Sequence, residues 1–253
     1  MTMVLPFINK QLDGVIWRME IDSLSDTIFL ETRTADRQVA FTSINLITGK
    51  INFENYTTAE RWLTGIEAAF DGLLLLHNYQ SENTPVHKGI TAINNSTQTI
   101  WSNYAYGFDH LTVNGPVVFN TQVQPKKLFL IDIKTGAMLR AYDPAIDVEI
   151  DNYIRFPQTT TPAQLNEPMA GDTYGNIVQY LQYNKFRVVS LHTLNNGQLQ
   201  QHLFIKDETA TVYEDLLNIG IQKMQPESFI LYKNLVIYIK NKSDLKAVPL
   251  INY

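Results

Sequence analysis

The sequence has no cysteine and little charge. The absence of cysteine in 253 residues excludes disulfide bonds, thiolate catalysis and cysteine-ligated zinc. Charged residues make up only 18% of the chain, and the formal net charge is −5. A nucleic-acid-binding protein needs a basic stripe that displaces counterions from phosphates. Since the sequence has no such stripe, we expect no nucleic-acid partner.

Long hydrophobic runs and linear catalytic motifs are also missing. No stretch approaches 18 consecutive apolar residues, so we expect no membrane span. Residues 1–10 lack the features of a signal peptide, which makes the cytoplasm the expected location. The glycine-rich nucleotide-binding patterns, the nucleophile elbow and the His-Glu-x-x-His pattern do not occur. The sequence therefore offers no catalytic set.

A short pattern recurs along the chain. It consists of a glycine, any residue, an apolar residue and then usually another apolar or aromatic residue. The copies begin at Gly14, Gly49, Gly136 and Gly197, and a fifth copy has Gln98 in the glycine position. An apolar run that ends in a polar residue precedes most copies, as expected for a β-hairpin whose glycine takes a positive φ. The pattern therefore predicts strand–turn–strand repeats.

The repeats predict an all-β chain with a β-propeller-like fold. Five units in 253 residues average about 51 residues each, near the roughly 40–50 residues of a four-stranded blade. We expect a single domain, 1–253, of about five blades, some incomplete, in which strand 15–21 pairs with strand 245–251 and closes the ring. The alternative is a pair of β-sandwiches.

One segment breaks the strand pattern, and two others could be helical. Residues 157–175 carry three prolines without a periodic apolar face, which predicts a long surface loop. Residues 208–217 and 57–62 are expected to form short helices.

Two resemblances extend this interpretation. The segments 128–139 and 44–53 resemble the repeat of quinoprotein-type β-propellers, with an apolar strand followed by Thr-Gly. The tryptophan docking motifs of those proteins are not evident, and their disulfide cannot form here. We therefore expect no quinone and no other cofactor.

Residues 15–105 resemble an uncharacterised bacterial family of unknown function. The resemblance implies a propeller-like fold and carries no assigned activity, so no catalytic residue can be transferred from it. The segments that carry it are Val15–Trp17, Glu31–Arg33, Trp62–Glu67, Leu73–His77 and His87–Ile90.

Seven residues within this region are candidates for a binding site. His77 and His87 could meet in a hairpin as metal ligands or as an acid–base pair. We favour two unrelated histidines, one of them hydrogen-bonded in the core, and expect no metal site. Glu31 and Arg33 share one strand face. They could bind a polar ligand, although an internal ion pair is the favoured interpretation.

Trp62 and Glu67 flank Gly65 just before a strand. A tryptophan beside a carboxylate can bind a sugar or a cation, but we favour a packing anchor. An acidic stretch, 143–151, could bind calcium. Its interleaved apolar residues favour an alternating strand with one solvated acidic face.

Two functions remain open on the sequence. The first is a non-enzymatic binding or scaffold protein that binds a small molecule or a protein at a propeller pocket or rim. The second is an enzyme that acts on a small polar or carbohydrate substrate at one end of a central channel. Its residues would be Glu31, Arg33, Glu67, His77, His87 and Lys88.

Overall fold

The chain folds almost entirely into antiparallel β-sheets. The computed structural model describes residues 4–165, 173–226 and 228–251. Within these residues the helical segments are Pro162–Leu165 (α1) and the 3-10 turn Tyr174–Asn176. Neither has the length and hydrophobicity that a membrane-spanning helix needs. The predicted all-β class is confirmed.

Residues 13–152 form one compact unit, which we call the three-sheet unit. Each of its sheets has four strands in chain order, as strands joined by short hairpins are expected to pair. The first sheet contains β2 (Val15–Asp22), β3 (Thr27–Arg33), β4 (Val39–Asn45) and β5 (Ile51–Tyr56). The second contains β6 (Thr64–Phe70), β7 (Leu73–Ser81), β8 (Thr84–Asn94) and β9 (Thr99–Asn103). The third contains β10 (Tyr106–Thr112), β11 (Gly115–Asn120), β12 (Leu128–Ile131) and β13 (Met138–Ala141).

The described residues of 1–12 and 153–253 form the other compact unit, the two-sheet unit. Both of its sheets have five strands. One sheet has the spatial order β1 (Ile8–Gln11), β22 (Asp244–Pro249), β21 (Leu235–Lys240), β20 (Ile230–Tyr232) and β14 (Ile154–Arg155). The other runs in chain order through β15 (Gln158–Thr160), β16 (Val178–Tyr183), β17 (Phe186–Asn195), β18 (Gln198–Lys206) and β19 (Thr211–Ile221).

Strand β7 is buried on both faces. Side chains alternate along a strand, so the run Leu73–Leu76 sends its side chains to two different clusters. Leu73 and Leu75 pack with Ile90, whereas Leu74 and Leu76 pack with Phe29. The second sheet of the three-sheet unit is therefore covered on each side by a separate hydrophobic core.

The predicted turns are hairpins between the third and fourth strands of the three sheets. Gly49 and Gly136 have φ of +69°, and their amides donate to the carbonyls of Asn45 and Asp132. The turn without glycine is one residue shorter. There Thr97, rather than Gln98, takes a positive φ of 62°, and its amide donates to the Asn94 carbonyl.

The other two glycines of the recurring pattern, Gly14 and Gly197, do not lie in these turns. Gly197 lies in a two-residue Asn-Gly hairpin between β17 and β18. Gly14 precedes β2 and is not part of a hairpin. Its backbone conformation, with φ of +88°, and its close approach to the Arg33 carbonyl both require glycine.

The chain ends pair, but not through the expected strands. Strand β22 pairs with β1, with Ile8 opposite Ala247. The segment 15–21 was expected to be that partner, and this prediction is wrong because it lies in β2 and pairs with β3. The short run Ile8–Gln11 has too few apolar residues to stand out as a strand.

Several local predictions are also wrong. Residues 211–217 of the expected helix 208–217 lie in β19, and residues 57–62 contain no helix. The described part of the expected loop 157–175 contains β15 and α1, while residues 166–172 lie outside the described residues.

The acidic stretch 143–151 forms turns with one isolated bridge at Glu149, so the expected alternating strand is wrong. Its Asp147 is buried. The carboxylate of Asp147 accepts hydrogen bonds from Arg140, Asn114 and the Asp143 amide. These contacts make Asp147 a structural residue.

Candidate functional site

The first strand of each sheet in the three-sheet unit carries a β-bulge at an equivalent position. The residues that fall in the breaks of register are Trp17, Glu67 and Asp109. A bulge leaves one residue without a direct partner and re-aims its side chain. Trp17 and Glu67 belong to the two neighbouring features described below, an aromatic cleft and a histidine cluster.

Glu31 and Arg33 form a buried ion pair on β3. The Glu31 side chain is 2% exposed and the Arg33 side chain 10%. Arg33 donates to Glu31 Oε1 at 2.7 Å, and the amide of Ile66 donates to Glu31 Oε2 at 2.9 Å. Arg33 also donates to the carbonyl of Thr64. The pair therefore ties the first sheet to the second, in agreement with the favoured interpretation.

Three aromatic rings surround the Arg33 guanidinium. Its central carbon lies 4.7 Å from the ring centre of Trp62, 5.5 Å from that of Trp17 and 6.0 Å from that of Tyr79. Trp62 also packs against the hydrophobic core, so it serves both as an anchor and as a wall of the site. Trp17, by contrast, is 65% exposed.

These residues line a cleft of about 270 Å³, which we call the aromatic cleft. The hairpin between β7 and β8 also lines it and contributes hydroxyl, amide and carboxylate groups. The lining residues are Trp17, Arg33, Trp62, Leu63, Tyr79, Ser81, Glu82, Asn83, Thr84 and Pro85.

The charges of the cleft are paired internally. Glu31 neutralises Arg33, and Glu82 forms an ion pair with Arg37. The aromatic cage is already filled on one side by the Arg33 cation. An added cation would meet this charge, and an added anion would find the guanidinium donors engaged by Glu31 and main-chain carbonyls.

A second cluster, which we call the histidine cluster, contains Glu67, His77 and His87. Nδ1 of His87 lies 2.8 Å from Glu67 Oε2, and Nδ1 of His77 lies 3.2 Å from the same oxygen. The imidazole rings stack with centres 3.5 Å apart and planes 7° from parallel. The interpretation as two unrelated histidines is therefore wrong. Strand pairing brings them together across β7 and β8, which sequence separation does not reveal.

Tyr79 links the two features. Its ring meets the rings of His77 and His87 edge-on, with centres 4.8 Å and 5.3 Å apart, and it also lines the aromatic cleft. The cleft and the cluster are therefore adjacent.

Burial and charge shift the pKa values of Glu67 and His77. Burial is the main reason that the pKa of His77 is lowered, against the opposing effect of the adjacent Glu67 carboxylate. Burial also raises the pKa of Glu67, but its contacts with His77 and His87 outweigh burial and hold this pKa below its usual range. The folded protein therefore favours an ionised Glu67 beside a neutral His77.

Six of the seven predicted residues lie around the cleft and the cluster. Lys88 does not, because it is exposed and follows His87 on β8, where successive side chains leave opposite faces. Sequence reasoning missed Trp17 and Tyr79. The available signal for Trp17 was the likeness among Val15-Ile-Trp17, Gly65-Ile-Glu67 and Gly107-Phe-Asp109 at the starts of the three sheets.

Residues 21–101 match a family described as "Domain of unknown function (DUF4905)". The match agrees with the predicted resemblance to an uncharacterised family. The matched segment contains Glu31, Arg33, Trp62, Glu67, His77 and His87. No curated protein is similar in sequence.

Solved structures with similarity to this chain are distant from it. The crystal structure of Chaetomium thermophilum Raptor is 9% identical, with a TM-score of 0.38; the match covers 98% of this chain and 29% of that chain. The structure of BBS1N in complex with ARL6DN is 9% identical, with a TM-score of 0.32 and coverage of 100% and 98%. At these values neither similarity carries information on function.

Proposed function

We propose that the three-sheet unit is a non-enzymatic binding module whose aromatic cleft binds a small neutral carbohydrate ring. The observation that carries the proposal is the exposed Trp17 ring facing the Arg33–Trp62–Tyr79 group, with 65% of Trp17 in contact with solvent. A flat aromatic surface beside hydroxyl and amide groups suits a sugar, which has apolar C–H faces and polar edges.

The paired charges favour a neutral ligand over an ionic one. Glu31 offsets Arg33, so the cleft offers little net attraction to a carboxylate or a phosphate. The volume of about 270 Å³ lies just below the range of roughly 300–1,000 Å³ that drug-sized ligands occupy. We therefore infer a single ring or the end of a longer chain.

The sheets support the propeller proposed from the repeats. Three consecutive four-stranded sheets in the three-sheet unit have the strand order of propeller blades. The two sheets of the other unit bring the count to the five that the sequence predicts. The single domain, the bacterial origin and the cytoplasmic location stay predictions.

Thermal unfolding of the full chain with glucose, galactose and N-acetylglucosamine tests the proposal, with choline and acetate as ionic probes. We expect at least one neutral sugar to raise the melting temperature and the ionic probes to leave it unchanged. Trp17→Ala removes the exposed platform and should abolish the shift. Tyr104→Ala, which removes another exposed ring of the same unit, should retain it.

Two results contradict the proposal: no neutral sugar shifts the melting temperature, or the shift persists in Trp17→Ala. Turnover of a bound sugar would instead favour the enzyme of the alternative hypothesis.

A further inference from the structure

We propose that Glu67, His77 and His87 bind a divalent transition-metal ion of the zinc class. The three candidate ligand atoms are Glu67 Oε2 and the Nδ1 atoms of both histidines, and possible ligand atoms of the group lie within 4.8 Å of one another. Imidazole nitrogen and carboxylate oxygen are the donors that zinc and its neighbours take in the absence of cysteine. This inference is independent of the sugar proposed for the aromatic cleft.

The spacing of the donor atoms suits a shared ion. The two Nδ1 atoms lie 2.8 Å and 3.2 Å from Glu67 Oε2. Ligands that bind one ion at about 2.0–2.2 Å stand about 3.0–3.5 Å apart in tetrahedral or octahedral geometry. The Glu67–His77 distance already lies in this range, whereas His87 must move slightly away from Glu67 before both can bind one ion.

Within the described residues, the buried imidazole of His77 lacks a hydrogen-bond partner. The residue is 2% exposed, and within the described chain neither of its ring nitrogens has a hydrogen-bond partner. Nδ1 lies near Glu67 Oε2 without the alignment of a hydrogen bond. Buried polar atoms are paired in most folded proteins, and an exception needs a physical reason. A metal ion at Nδ1 supplies the missing partner.

The charge of the cluster also suits a cation. Glu31, the other buried carboxylate nearby, is neutralised by Arg33. Among the described residues the Glu67 carboxylate has only the two histidines as side-chain partners. Arg18 donates to the main-chain carbonyl of Glu67 and pairs with Glu20 instead. The Glu67 carboxylate therefore stays available to a cation at this position.

Metal binding requires one ring to turn. The two imidazole planes are nearly parallel, so their Nδ1 lone pairs run side by side instead of converging. His77 is enclosed, whereas the side chain of His87 is 36% exposed. His87 is therefore the ligand that turns, and its exposed side is the route by which the ion enters.

The test is titration of the full chain with Zn²⁺ by calorimetry and with Co²⁺ by visible absorption. We expect one ion per chain and a ligand-field spectrum with nitrogen and oxygen donors. His87→Ala should weaken binding at least about 10-fold, the lower limit of what loss of a metal-supporting residue costs. Glu67→Gln should do the same while it keeps the size of the buried side chain.

Two control variants decide where an ion binds. Lys88→Ala alters the neighbour of His87, and His110→Ala removes a histidine that pairs with Asp109 in the third sheet; both should bind as the wild type does. The proposal is overturned if no ion binds or if His87→Ala and Glu67→Gln bind as tightly as the wild type. The proposal is also overturned if His110→Ala loses metal binding while His87→Ala and Glu67→Gln retain it. Circular dichroism of each variant confirms that a loss of binding is not a loss of fold.

Discussion

Gly65 leaves the space that the ring of His77 occupies. A Cβ at Gly65 would lie 3.1 Å from the His77 ring and 3.1 Å from Glu31 Oε2. Gly107 has the equivalent position in the third sheet, where a Cβ would lie 2.4 Å from the ring of Phe119. In both sheets a glycine on the first strand faces a large ring on the second strand. The glycines are therefore required by packing across the strand pair.

A Cβ at Gly107 has less space than a Cβ at Gly65. Alanine should therefore destabilise the fold to different extents at the two positions. Gly65→Ala should lower the free energy of unfolding by about 1–3 kcal/mol, the usual range for overpacking. Gly107→Ala should lower it further, because Phe119 is closer than His77. Urea unfolding of both variants measures the two values. Equal stability of both variants and the wild type would contradict this account of the glycines.

Asp147 makes the stability of the fold depend on pH in the acidic range. Its carboxylate accepts two hydrogen bonds from Arg140, at 2.6 Å and 2.5 Å. These hydrogen bonds are the main reason that the pKa of Asp147 lies well below its usual range, against the opposing effect of burial. The unfolded chain therefore takes up this proton first as the pH falls, starting near an unfolded pKa of about 3.9.

We expect the stabilisation by Asp147 to be present above about pH 4 and to be lost progressively at lower pH. Asp147→Asn should lower stability at pH 7 and reduce the difference in unfolding free energy between pH 7 and pH 3. Asp36→Asn, at an exposed turn position, serves as the control. An unchanged difference in Asp147→Asn would show that other carboxylates carry the acid sensitivity.

At the scale of the hairpin, one of the three equivalent turns is a residue shorter and has no glycine. Gly49 and Gly136 adopt positive φ without steric conflict. Thr97 adopts a positive φ of 62° with a β-branched side chain, which is a strained conformation for that residue type. Asn94 holds this turn together, because its side-chain oxygen accepts hydrogen bonds from the amides of Ser96 and Gln98.

Thr97→Gly should therefore stabilise the chain. Relief of a left-handed conformation gains about 1–2 kcal/mol, and the added freedom of glycine in the unfolded chain offsets about 0.4–1 kcal/mol of it. We expect a net gain of about 0.5–1 kcal/mol in urea unfolding. A variant less stable than the wild type would contradict the assignment of strain to Thr97.

The strands differ in how well the sequence predicts them. Thr27–Arg33 and the run Leu73–Leu76 are apolar enough to predict buried strands, and both are strands in the structure. The short edge strand Ile8–Gln11 leaves no comparable pattern, because only its pairing with β22 defines it. Segment 211–217 has a composition compatible with a helix, and pairing with β18 makes it a strand.

At the scale of the molecule, the sequence predicts several of the residues around the cleft and the cluster, but it does not predict their contacts. The repeats predict several antiparallel sheets, and five of the predicted site residues belong to the cleft or the cluster: Arg33, Trp62, Glu67, His77 and His87. The contact between His77 and His87 depends on the register of β7 and β8, which breaks next to His77. Likewise, the exposure of Trp17 depends on a bulge in β2. Neither break of register is visible in a single sequence.

The proposed site for a neutral sugar is the aromatic cleft of the three-sheet unit. The chain contains three tryptophans, which allow a direct test with an internal control. Trp17 and Trp62 line the cleft, whereas Trp101 donates its indole N–H to the Ile133 carbonyl at 2.7 Å. Nuclear magnetic resonance of the ¹⁵N-labelled full chain resolves the three indole N–H signals during a titration with the sugars named above. We predict that the Trp17 and Trp62 signals shift with saturation while the Trp101 signal stays. The absence of any shift at Trp17 and Trp62, or a shift at Trp101 alone, would contradict the claim.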